Sequence, residues 1–124
     1  MSDQADLTLV PQPSGPTLHL TPEAVWLSQA EYETYQPEPF ADEGFIHCTD
    51  GESALIEVAN AFYRADPRPY LVLVIDLARV SAPVRYEDPD CVFPHLYGPL
   101  NRDAVVAVRP IERRDDGTFV RLQE

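Results

Sequence analysis

Three histidines carry most of the chemistry this sequence offers: His19 in LHLT, His47 in FIHCT and His95 in PHLYG. Imidazole is the side chain best suited to moving protons near neutral pH, and it also binds metals. His19 and His47 share a local pattern. Each lies two residues before a threonine, Thr21 or Thr49, where a strand-like run gives way to a helix-like one. Residues i and i+2 of a strand share a face, so each histidine is expected to point toward the start of its helix. There the unpaired N–H groups form a natural anion site and disfavour a positive imidazole. His19 and His47 are therefore expected to be neutral hydrogen-bonding groups. The same alternation puts Phe45, His47 and Thr49 on one face and Ile46 and Cys48 on the other. In VFPHLYGPL, Pro94 and Pro99 stiffen a loop that presents His95 and Tyr97, which suits ligand contact. The expected site is a cleft lined by His19, His47 and the His95–Tyr97 loop.

A metal is the competing use of these groups. Cys91 and His95 are spaced C-x3-H, and His47 adjoins Cys48. Four ligands could meet only if both faces of one strand turned to the same point, which the strand period opposes. Three histidines alone could form an open site, but no spacing requires it, and no metal ligand is assigned. No G-x-S-x-G, P-loop or G-x-G-x-x-G occurs. Asp42–Glu43 and Glu87–Asp88 read as solvated loop charges, although Glu87 beside Tyr86 could face a cleft.

The elements that position these groups follow from hydrophobic patterning. Residues 17–21 alternate as a strand. A helix is expected next, with Thr21 as N-cap, Pro22 at its first position and Glu23 in its first turn. Residues 36–43 read as a loop, and GFIHCT as a second strand. A second helix begins at Thr49, with Glu52 at capping-box spacing and Leu55, Ala59 and Phe62 as its apolar face. YLVLVIDLARV over 70–80 is the central strand, apolar on both faces. Strands are expected over 82–88 and 103–111, a loop over 89–100, and a turn at 114–117 leading into 118–123. Two early helices and late strands give an α+β class with a mainly antiparallel or mixed sheet. Residues 1–16 read as a loose arm, and 17–124 as one small domain.

Composition narrows the function. The 124 residues include 21 acidic and 9 basic ones, net −12, and every basic residue is arginine. Such a chain repels nucleic acid and anionic membranes, so the expected partner is a small molecule. An anionic ligand needs backbone N–H groups or a few arginines to hold it locally. The N-terminus lacks the basic and apolar regions of a signal peptide, and two cysteines outside any C-x-x-C fit a reducing cytoplasm.

LHLT, a following Trp, GFIHCTD, FPHLYGPL and a final DG-x-F together resemble the bacterial family catalogued as domain of unknown function 952, over about residues 17 to 119. That family is similar in fold to the ADP-ribosyltransferase superfamily, which includes the poly(ADP-ribose) polymerases and RNA 2′-phosphotransferases. The resemblance implies a NAD-like nucleotide ligand and group transfer or hydrolysis at its ribose or phosphate. The transferases carry His, a small residue and Ser or Thr on the first core strand. His19 and Thr21 match, with Leu20 where a glycine is usual. Ser53 corresponds to a helix serine and Tyr63 to a helix tyrosine, while His47 replaces the tyrosine that stacks on nicotinamide. The late-strand stretch NRDAVVAV offers Arg102 or Asp103 where the transferases have a catalytic glutamate. A binding or regulatory module without catalysis is the alternative that these differences carry.

Overall fold

The computed structural model describes residues 13–124. The expected N-terminal arm therefore falls largely outside the described residues. The strands are β1 (Pro16–Pro22), β2 (Thr34–Tyr35), β3 (Ile46–His47), β4 (Tyr70–Asp76), β5 (Val84–Tyr86), β6 (Pro94–Leu96), β7 (Leu100–Asn101), β8 (Val105–Arg113) and β9 (Phe119–Leu122). The α-helices are α1 (Glu23–Leu27), α2 (Phe40–Glu43) and α3 (Glu52–Phe62). The class is α+β, and all the strand pairings are antiparallel.

One four-stranded sheet has the order β1-β4-β8-β9, and a three-stranded sheet has the order β3-β6-β5. β4 sits between β1 and β8 and is apolar on both sides for a simple reason: each face has its own core. Tyr70 and Val72 join Leu18, Leu55, Ala59 and Phe119 under α3. Leu73 and Ile75 join Trp26, Tyr35, Ile46, Cys48 and Leu96 on the other face. Burying each such side chain stabilises by roughly 1.5–3 kcal/mol, which makes β4 the axis of the domain.

The two sheets meet at β1. Leu18 N–H donates to Thr49 O at 2.9 Å and Thr49 N–H donates to Leu18 O at 2.7 Å. Beyond Thr49 the chain turns away through Gly51, whose φ of 96° suits glycine, into α3. Thus, among the described residues, β1 is paired on its outer edge at Leu18 and not farther along.

Several expected local features yield to tertiary contacts. The first helix has only five residues and starts after Pro22, with no side-chain cap. Thr21 turns inward instead, its Oγ1 lying 2.8 Å from Tyr35 Oη. Gly51, not Thr49, caps α3. The capping-box glutamate is used elsewhere: Glu52 Oε2 accepts Leu122 N–H at 2.9 Å. Asn60 adds a reciprocal pair with the main chain of Phe119, at 2.8 and 3.0 Å. These bonds dock α3 on β9. Leu55 and Ala59 are buried as expected, but Phe62 is 76% exposed. The expected 36–43 loop contains α2, and the expected 89–100 loop contains β6 and part of β7.

The turn before β9 has a strict steric requirement. Gly117 has φ of 93°, and a Cβ there would lie 2.3 Å from Arg64 O. Gly117→Ala is expected to lower stability by more than about 1 kcal/mol, read as an earlier midpoint in urea unfolding with an unchanged slope.

Candidate functional site

His19 is an interior residue, 5% exposed, on the β1 face that packs on Tyr35. Its Nδ1 lies 2.7 Å from His47 O and its Nε2 3.0 Å from Tyr35 Oη. A carbonyl only accepts, so Nδ1 carries the proton. In neutral imidazole Nε2 then accepts from the Tyr35 hydroxyl, and Thr21 Oγ1 donates to Tyr35 Oη. Burial lowers the His19 pKa from 6.5 to about 4, against the pull of its bond to His47 O. His19 is therefore neutral at pH 7 because it is buried, not because of a helix terminus. It ties the His47 main chain to β1 and has no nitrogen left for a ligand or metal.

His47 and His95 occupy opposite positions on β3 and β6. Their ring centroids are 5.1 Å apart. Phe45 binds them into one cluster, stacked on His95 at 4.3 Å and edge-on to His47 at 4.8 Å. Each imidazole has a carboxylate. His47 Nε2 is 3.0 Å from Glu43 Oε1, and His95 Nδ1 is 3.0 Å from Glu87 Oε1. A carboxylate takes the N–H it faces, which leaves His47 Nδ1 and His95 Nε2 as the ring nitrogens turned away from the carboxylates. Tyr97 Oη also donates to Glu87. The Tyr97 and His95 bonds hold the Glu87 carboxyl below its usual range, and the bond to Glu87 raises the Tyr97 hydroxyl.

Two hollows meet at His47. The first has a volume of about 140 Å³ and lies along the outer edge of β1, with His19, Leu20, Thr21, Tyr63, Arg68 and Tyr70 among its lining residues. The second, about 700 Å³, includes Phe62, Phe93, Glu87, Asp88 and His95. Glu43, His47, Thr49, Val58 and Tyr63 line both. The first hollow also contains a main-chain feature. Leu18 uses its N–H and C=O on Thr49, and antiparallel strands alternate the side to which these groups point. Those of Leu20 therefore point the same way, past Thr49, into the hollow. No described strand pairs with them there.

The structure thus brings His47, His95, Thr49 and Tyr63 to one cleft, with His19 and Thr21 in its wall and Tyr97 against Phe45. Ser53 is exposed on α3 and lines neither hollow. Arg102 lies elsewhere, its guanidinium 3.8 Å from the centroid of the Trp26 ring and donating to Gln29 O at 3.3 Å. Asp103 pairs with Asn101. Neither stands in the position of a late-strand catalytic glutamate at this cleft. Sequence reasoning missed Tyr35, Glu43 and Phe45 as organisers of the site; only Phe45 had a signal, its strand alternation with His47. Among the described residues no group of three or more His, Cys, Asp and Glu is placed to hold a metal ion. Burial raises the Cys48 thiol pKa, consistent with its place in the core. Among the described residues no helix is long and apolar enough to cross a membrane.

A family model described as "Protein of unknown function (DUF952)" matches residues 20–108. The crystal structure of protein CC0527 from Caulobacter crescentus has a TM-score of 0.73 to this chain at 20% identity, covering 86% of this chain and 94% of that one. A double-mutant form of the same protein gives the same values. At this identity the likeness shows the fold alone. No curated protein matches.

The buried imidazole makes stability depend on pH. Between pH 6.5 and 4 the unfolded chain binds a proton that the folded chain refuses, so stability falls as pH falls through this window. The loss from His19 is about 3 kcal/mol. Urea unfolding at pH 7, 5.5 and 4 checks this, and His19→Gln is expected to flatten that part of the profile.

Proposed function

The chain belongs to the DUF952 family, and on its own geometry we propose that its cleft binds a nucleotide-like ligand of the NAD type, with the nicotinamide end at the outer edge of β1. The observation that carries this reading is the outer-edge main chain of Leu20, which has no partner among the described residues. One N–H and one C=O on a strand edge match the C=O and N–H2 of a primary carboxamide, as a further strand would. A backbone contact does not depend on the side chain, so Leu20 can make it as a glycine would.

Electrostatics favours the same end of the ligand. Glu38, Glu43 and Asp66 line the first hollow, and Glu43, Glu87 and Asp88 line the second. Arg68 is the one arginine among the lining residues of either. A positively charged pyridinium ring suits such a cleft, and Phe45 and Tyr63 offer it aromatic faces. Dianionic phosphate does not suit the space between the histidines. The His47–Glu43 and His95–Glu87 pairs supply general acid–base groups. In hydrolysis or transfer at the ribose, the C1′–N bond breaks and the pyridine nitrogen keeps its electron pair. The attacking hydroxyl bonds to C1′, and its proton passes to a lone-pair imidazole nitrogen.

A second reading is a binding module with no turnover. The positions of Arg102 and Asp103 favour it, because neither brings a carboxylate from the β8 end to the cleft. Release of nicotinamide from NAD by the purified chain decides between turnover and binding alone.

Nicotinamide titrated into 15N-labelled protein is expected to shift the Leu20 amide and the His47 ring. Leu20→Pro removes the outer-edge donor without breaking a β1–β4 hydrogen bond, because that N–H takes no part in pairing with β4. Affinity is expected to fall about five-fold or more, the scale of one neutral hydrogen bond. Unchanged Leu20 and His47 signals at millimolar nicotinamide would contradict the reading.

A further inference from the structure

The rim of the first hollow carries a guanidinium clasp. Arg68 Nη1 and Nη2 donate to the two Glu38 carboxylate oxygens, each at 3.1 Å. On its other side Nη2 donates to Asp66 Oδ2 at 2.8 Å, and Nε lies 3.1 Å from both Asp66 oxygens. Asp66 is also held by Tyr70 Oη at 2.8 Å and by the Arg68 amide at 3.0 Å. These contacts, led by the Arg68 side chain, hold the Asp66 carboxyl well below the usual range. Glu38 has no comparable support: its carboxylate contacts among the described residues are the two to Arg68. Its side chain is 54% exposed, between Pro37 and Pro39.

We propose that Arg68 is the phosphate-recognition group of the cleft and that Glu38 occupies its fork until a phosphorylated ligand displaces it. The inference rests on the nucleotide reading of the first hollow and adds where the ligand's phosphate sits. A guanidinium presents paired N–H donors that fit two oxygens of a carboxylate or a phosphate equally well. The two carboxylates on Arg68 differ in role. Asp66 is locked by Tyr70 and the main chain and keeps the guanidinium oriented. Glu38 is held by an exposed ion pair, a kind that contributes little and is given up readily. Its prolines restrain the main chain, so the exchange needs only the glutamate side chain to swing into solvent.

The alternatives for a phosphate are poor. No other arginine lines either hollow. Elsewhere the lining carboxylates would repel a dianion. The same repulsion acts from Glu38 after it swings away, so its charge opposes phosphate binding in both positions. Removing the Glu38 charge is therefore expected to strengthen phosphorylated ligands selectively. A residue that merely braced the rim would not act this way.

The test compares nicotinamide riboside with nicotinamide mononucleotide, which differ by one phosphate, on the full chain by calorimetry. Wild type is expected to prefer the mononucleotide. Glu38→Gln is expected to widen that preference several-fold, because the pyridinium charge common to both ligands cancels in the ratio, while Arg68→Gln is expected to abolish it. Equal affinity of the two in wild type, or an unchanged ratio in Glu38→Gln, would overturn the inference. Ribose 5-phosphate, which lacks the carboxamide, separates this inference from the one beneath it. A shift of the Arg68 Nε–H resonance with ribose 5-phosphate, while the riboside fails to bind, supports the clasp and rejects the Leu20 contact. No such shift rejects the clasp.

Discussion

The architecture turns on a single main-chain junction. At Leu18 the outer edge of β1 pairs with Thr49 through two hydrogen bonds, and one residue later His19 adds a third to the His47 carbonyl. These bonds join the four-stranded and three-stranded sheets. They also end abruptly, because the chain leaves through Gly51 into α3. The open edge beyond Leu18 becomes the floor of a hollow. The strand that closes the junction places His47 at its mouth, 54% exposed at the side chain. Fold and site are thus two consequences of the same short pairing.

That junction accounts for two polar features. His19 is buried yet satisfied on both nitrogens, with Tyr35 and Thr21 completing a one-directional chain of donors. A buried polar group left unpaired is costly, so this chain fixes the relative position of β1, β2 and β3 more tightly than apolar packing would. His47, which is exposed, and His95, which is half-buried, follow another rule. Each has a carboxylate on one nitrogen and Phe45 against its ring. This orients the imidazoles without fully burying them and leaves one nitrogen of each with no partner among the described residues.

Much of this was legible in the residues, and the failures share a cause. The run 70–80 announced a strand buried on both faces, of which Tyr70–Asp76 form β4 before a 3-10 turn at Leu77–Arg79, and the alternation of Phe45, His47 and Thr49 against Ile46 and Cys48 matches the observed division. What could not be read was which distant group each polar side chain would meet. Thr21 and Thr49 have the local features of caps, but Tyr35 and Leu18 compete for them and win. Glu52 fits a capping box, but Leu122 N–H claims it. Glu43 and Glu87 look like solvated charges until β3 and β6 set histidines beside them. Tyr35 carried no signal within EYETYQPEPF, and nothing in the spacing of Arg102 foretold its stacking on Trp26. Helices were overestimated where the run is short and missed over 40–43, where the prolines argue for a loop.

A crystal structure grown with nicotinamide is the most direct test of the central claim. The account predicts the carboxamide in line with β1, its nitrogen donating to Leu20 O and its oxygen accepting Leu20 N–H, with the ring beside Phe45 and Tyr63. A carboxamide turned toward solvent, or a ring bound away from the β1 edge, would contradict it.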